Sequence, residues 1–366
     1  MRIPLVDLRK QYQGIKDEID EAIQQVLNET GFVLGSEVEK LEHSIARFHN
    51  TTCGVGVASG TDALLLALIA CGIGKDDEVI TTPFTFIATT EAICRVGAKP
   101  VFCDIDETTY NIDSKKIEEK ITPSTRAILP VHLYGLSCNM EKILTLAREY
   151  NLKVIEDCAQ AFGSEYKGER VGSFTDAGCL SFFPSKNLGA YGDGGMVVTD
   201  NEEMANHLKM LRNHGASNKY FCTMHGFNSR LDTIQAAVLR VKLRYIDRWI
   251  KDRQENAAFY NQLLSNTGIG IPVVPDYARH SFNYYTIRIK KNRDKVQKHL
   301  KENGIANAVY YPLCLHLQEV YTDLGYKPGD FPIAERVQNE VLSLPIYSEL
   351  THLDITEICR IIKQVV

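Results

Sequence analysis

Several familiar signatures are missing from this chain. Its 366 residues include one Trp, and its ten cysteines contain no C-x-x-C pair. There is no H-E-x-x-H, no G-x-x-x-x-G-K-[ST] and no G-x-S-x-G. These gaps argue against a zinc-ribbon site, a zincin, a P-loop nucleotidase and an α/β-hydrolase elbow. Uncharged runs such as Ala63–Gly74 fall far short of the ~20 residues that span a bilayer. The start, MRIPLVDLRKQYQ, lacks the apolar core of a signal peptide. The expectation is a cytoplasmic protein with reduced thiols, several of them inside apolar runs, where free Cys behaves as a small hydrophobe. Basic residues (41) are outnumbered by acidic ones (46), so bulk charge does not favour nucleic acid. No metal site is expected.

The composition, 44% hydrophobic and 24% charged, suits a globular protein long enough for two domains. The first strong pattern is helical: Ile15, Ile19, Ala22, Ile23, Val26 and Leu27 share a stripe, and a second helix follows at about 37–48. From residue 53, strand-length apolar runs alternate with helical stretches. The runs are 53–58, 78–82, 100–105, 126–131, 153–157, 179–183 and 195–199. Most are apolar on both faces, as parallel strands covered on both sides must be. The helices 61–71, 86–96, 139–149 and 202–212 are long enough for right-handed crossovers. The last two runs are joined by a Gly-rich loop, which predicts an antiparallel edge. One long helix is expected over 230–262. A smaller α/β unit follows, with a strand at 283–289 and a helix at 293–302. The domains are placed at 1–250 and 251–366.

Ligands of open α/β sheets bind at the carboxyl ends of strands. After 53–58 comes Ser59-Gly60-Thr61, opening a helix whose free N–H groups suit a phosphate; a plain N-cap explains it equally. The stretch Gly54-Val-Gly56-Val-Ala-Ser59 only approximates a dinucleotide fingerprint, since Ser59 stands where the third Gly belongs. After 153–157 stands Asp157, a carboxylate that needs a cationic partner if buried, unless it merely caps a helix. After 179–183 stands Lys186, followed by four glycines within 189–195. Most lysines are solvated, but a desolvated one has a depressed pKa and can condense with an aldehyde. Together, a phosphate cradle, a strand-end aspartate and a strand-end lysine meet the needs of pyridoxal phosphate: an anion anchor, a carboxylate for the ring nitrogen and an amine for the aldehyde.

The ordered motifs SGTDAL, TPFTFIAT, PVFCDIDETTYNID, PVHLYG, EDCAQAFG, SFFPSKNLGAYGDGG, RNHG, FNSRLDTIQAAVL and YYPLCLHLQ cover nearly the whole chain. They resemble the DegT/DnrJ/EryC1/StrS family of pyridoxal-phosphate sugar aminotransferases. The resemblance implies fold type I, with a seven-stranded mostly parallel sheet and a smaller C-terminal α/β domain. It implies that Lys186 carries the cofactor and Asp157 faces its ring nitrogen. Gln160 would meet the ring hydroxyl and Phe86 would stack on the ring. Gly60, Thr61 and Ser181 would hold the phosphate, joined by Asn228 from a second subunit, hence a homodimer with shared sites. Tyr311 and His316 are candidate sugar contacts, or else only pack the small domain. The donor would be L-glutamate and the acceptor a keto carbon of a dTDP- or UDP-linked hexose. KNLGAYGDGG and YYPLCLHLQ lean toward C3, with C4 as the alternative. A non-catalytic regulator and a dinucleotide oxidoreductase are the readings from other classes.

Overall fold

The computed structural model describes residues 2–218 and 220–366. All seven strand-length runs are strands of one sheet: Cys53–Val57, Glu78–Thr81, Lys99–Phe102, Thr125–Ile128, Lys153–Asp157, Ala177–Ser181 and Gly195–Thr199. Starting from the first strand, the spatial order is 53–57, 195–199, 177–181, 153–157, 125–128, 78–81, 99–102. Strand 195–199 runs antiparallel to both neighbours, and the other strand pairs are parallel. One edge is therefore antiparallel, as expected, with strand 195–199 one place in and strand 53–57 outermost. The loop after Ser181 turns the chain back beside strand 177–181, and the first strand then adds outside it.

Strand residues alternate between two cores, because successive side chains face opposite ways. Val197 joins the helices Gly60–Ala70, Ala88–Arg95 and Glu202–Leu211 on one face. Met196 and Val198 join Lys16–Glu29, Ser36–His49 and Thr233–Leu243 on the other. Helix Gly60–Ala70, apolar almost all round, is buried from Ala63 through Leu68. This burial fixes its N-terminus at the carboxyl edge of the sheet.

The expected helix over 230–262 is two helices, Thr233–Leu243 and Ile246–Leu264. No Gly or Pro marks the break. At the junction the Tyr245 ring stacks on Trp249, one turn further on, at 5.8 Å, and its hydroxyl donates to Glu18. The second helix serves two cores. Ile246, Trp249 and Ile250 pack toward the sheet, while Ala257, Tyr260 and Leu264 pack with the C-terminal elements. Position 250 thus falls inside a helix. The C-terminal unit pairs strands Tyr285–Arg288 and Val341–Leu344 antiparallel and adds helices Arg293–Glu302 and His352–Lys363. Ile3, from the far N-terminus, is buried in that same core. Among the described residues, no helix is long and apolar enough to cross a membrane. All ten cysteines are free.

Candidate active site

The carboxyl edge of the sheet holds a cavity of about 470 Å³. Gly60, Thr61, Phe86, Asp157, Gln160, Ser181, Lys186 and Tyr311 all line it. Eight residues scattered from position 60 to 311 thus share one wall. The topology accounts for this, since strands 53–57, 78–81, 153–157 and 177–181 all deliver their following loops to that edge.

At one end, Ser59 caps helix Gly60–Ala70 by accepting from the Asp62 N–H at 3.1 Å. The first-turn N–H groups of a helix have no intrahelical acceptor and suit an anion. Gly60 is required here: a Cβ would stand 2.6 Å from Ser181 Cβ. Helix start and strand end approach closely enough to form a small polar cradle.

At the cavity floor, Asp157 is 5% exposed. Its Oδ2 accepts from Thr89 Oγ1 at 2.8 Å and its Oδ1 from the Ala159 N–H at 3.1 Å. Burial raises its pKa despite these two donors. A buried carboxylate held against its preference is a ready seat for a cationic ring nitrogen. Lys186 opens onto the same cavity, but protein atoms crowd its ammonium and desolvation lowers its pKa to about 8, opposed by Asp157. Gln160 accepts from the Tyr134 N–H and donates to Tyr311 Oη, both at 2.8 Å. Phe86 is 54% exposed on the wall, its ring 6.2 Å from that of Tyr311.

Two expected residues are elsewhere. His316 does not line the cavity. Its ring packs edge-on against Phe102 and Phe331, and its Nε2 meets Glu335 at 3.1 Å. It is 2% exposed, held between Phe102 of the sheet and Phe331 of the C-terminal unit. Asn228 is exposed, forms a backbone bridge with Asn213 and does not line this chain's cavity, although Ser229 beside it accepts from the Ala58 N–H at 3.3 Å. Sequence reasoning missed Thr89, Ser185, Tyr284 and Tyr310, which also line the wall. Thr89 lies in the first turn of helix Ala88–Arg95, which follows strand 78–81, and only the fold brings its hydroxyl to Asp157.

Behind Asp157 lies a closed polar strut. Among the described residues, one group of potential metal ligands converges: His132, Glu156 and Cys158, within 4.8 Å. The Cys138 N–H donates to His132 Nδ1 at 3.0 Å, so the ring proton sits on Nε2 and donates to Glu156 at 2.8 Å. Glu156 also accepts from the Gly172 N–H at 2.9 Å and Thr175 Oγ1 at 2.8 Å.

A family model described as "DegT/DnrJ/EryC1/StrS aminotransferase family" matches residues 13–363. The chain belongs to that family. It is a pyridoxal-phosphate-dependent aminotransferase, and its cradle, buried carboxylate and crowded amine fit that cofactor. A Geobacillus stearothermophilus protein named "Pleiotropic regulatory protein" is 49% identical over 96% of this chain and 95% of its own. An Acidithiobacillus ferrooxidans protein named as a UDP-N-acetyl-3-dehydro-alpha-D-glucosamine 3-aminotransferase is 45% identical over 99% and 97%. The crystal structure of Streptomyces venezuelae DesV, in complex with a ketimine intermediate, superposes with a TM-score of 0.97 at 40% identity. It covers 99% of this chain and 98% of that one.

Proposed function

We propose that the chain transfers an amino group from L-glutamate to the C3 keto carbon of a dTDP- or UDP-linked hexose. The observation that carries this reading is the meeting of Lys186 and Asp157 in one cavity beside the Gly60 cradle. The similarity to a protein named as a 3-aminotransferase supports C3. The cofactor, when bound, supplies an electron sink for the amine carbon. Everything else falls to the chain. Gly60, Thr61 and Ser181 would hold the phosphate. Asp157 would keep the ring nitrogen protonated, Gln160 would orient the ring hydroxyl and Phe86 would cover one ring face. Lys186 would carry the aldehyde and then move the proton at the amine carbon. Burial draws this amine down from the usual lysine range to about 8, which enlarges the free-amine fraction that condensation and proton transfer need. Tyr311, held by Gln160, would meet the sugar.

A second copy completes the site in this reading. Asn228 is exposed and does not line its own chain's cavity, and Phe86 (54%) and Phe183 (51%) leave apolar surface open at the mouth. The regulatory name of one relative favours a second reading, binding without turnover. One experiment separates them: incubation with glutamate and a panel of 3-keto and 4-keto nucleotide sugars, read by mass spectrometry. Amine product from a 3-keto acceptor is expected. Binding without product would favour the regulator, and product only from a 4-keto acceptor would move the position. Borohydride reduction of the loaded enzyme followed by peptide mapping should label Lys186; label on another lysine would overturn its role.

A further inference from the structure

Lys242 is a buried cation that the proposed chemistry leaves without a task. It projects from helix Thr233–Leu243 and is 1% exposed. Its Nζ donates to the Gly189 carbonyl at 2.5 Å and stands 4.7 Å from the centroid of the Tyr191 ring. Burying an ammonium is costly, and burial draws this one down to about 7, opposed by the Glu349 carboxylate. An apolar side chain of the same length would avoid that cost, so packing alone does not explain a lysine here.

What it grips is informative. Gly189 and Tyr191 belong to the loop that carries Lys186. The neck of that loop is closed by Ala190 N–H to Phe182 C=O at 2.7 Å and Phe182 N–H to Gly194 C=O at 2.8 Å. Inside it, Lys186 N–H donates to Phe183 C=O at 2.9 Å. Gly189 folds so tightly under the turn that a Cβ would stand 2.3 Å from the Pro184 carbonyl oxygen. Gln235, on the same helix as Lys242, accepts from the Tyr191 N–H at 2.8 Å and abuts Gly192. One helix therefore holds the loop at Gly189, Tyr191 and Gly192, and Lys242 supplies the contact nearest Lys186 in sequence.

We propose that Lys242 is a positioning residue: by holding the Gly189 carbonyl and the Tyr191 ring it fixes the turn that aims the Lys186 amine into the cavity. The proposal rests on Lys186 carrying the cofactor, and borohydride mapping of the parent enzyme tests that separately. Lys242→Met keeps the length of the side chain and removes its donors and charge. Three quantities decide: the pyridoxal phosphate dissociation constant by absorbance titration, the position of the visible band, and kcat against KM for glutamate. Displacing a reacting amine by a fraction of an ångström should cost about tenfold or more in both cofactor affinity and kcat, with KM little changed. The stability control is Ile361→Ala, a buried site in the C-terminal core, which should lower Tm without moving any of the three. The proposal is overturned if Lys242→Met binds cofactor and turns over like the parent, or loses no more than the control at an equal fall in Tm. Should Lys242→Met not fold, Lys242→Gln and Tyr191→Leu are judged by the same criteria; Tyr191 is 36% exposed, so its replacement spares the core.

Discussion

Glu156 and Asp157 are consecutive on one strand, both are buried, and they have opposite fates. Glu156 shares its side of the strand with Val154 and is closed off by His132, the Gly172 N–H and Thr175. Asp157 points the other way, into the cavity, with Thr89 and the Ala159 N–H as its donors among the described residues. The same group is thus closed off by donors at Glu156 and left with open capacity toward the cavity at Asp157, where the proposed function seats the ring nitrogen. Burial alone does not mark a functional carboxylate; burial with unfilled capacity facing a cavity does.

The contrast is broken most severely at Asp157. Asp157→Asn keeps the shape and removes the charge that would hold a protonated ring nitrogen. Loss of such a preorganised electrostatic contact should lower kcat by roughly 10²–10³-fold. Circular dichroism and Tm should stay near the parent, or rise, since an uncompensated buried charge has gone. If Asp157→Asn turned over at the parent rate, the assignment of the two carboxylates would be wrong.

How far this was visible in the sequence follows from the same contrast. The seven strands announced themselves because both their faces are apolar, and the Gly-rich loop after Ser181 announced an antiparallel return. Lys186 and Asp157 were readable because strand ends carry ligands in this architecture. Partners from distant segments were not readable. Nothing local ties Thr89 to Asp157, 68 positions on, or Lys242 to Gly189, 53 positions back. The break at 244–245 was hidden too, since no Gly or Pro marks it. Of the two readings of His316, sugar contact or packing, the motif could not choose, and its burial against Phe102 and Phe331 comes from segments far apart in sequence.

The structural partner should fail differently. In Glu156→Gln one acceptor oxygen becomes an amide facing donors from His132, Gly172 or Thr175. A buried group left in donor–donor conflict should cost about 1–3 kcal/mol of stability. Chemical denaturation should show that loss, while kcat per folded molecule stays within about a few-fold of the parent. A large fall in kcat at unchanged stability would instead place Glu156 in the chemistry.

The smallest effect is expected at the contact that joins the two roles, Thr89 to Asp157. Thr89→Val keeps the branched shape and removes one donor to a carboxylate, a contact on the order of 1.5 kcal/mol, or about tenfold in cofactor affinity. The pH dependence gives the sign. Burial already holds the Asp157 pKa above its usual 3.8 in the cofactor-free protein, and the Thr89 hydrogen bond opposes that rise. In the window above 3.8 and below the folded-state value, the native state binds more protons than the unfolded chain, so stability falls as pH rises there. Removing Thr89 raises the folded-state value further, because the ionised form loses a donor. The Tm gap between parent and Thr89→Val should therefore be small in acid, where Asp157 is protonated in both. It should open as pH rises through the parent's folded-state value, then level off once both are ionised. A gap that stayed constant across the range would mean that Thr89 only packs.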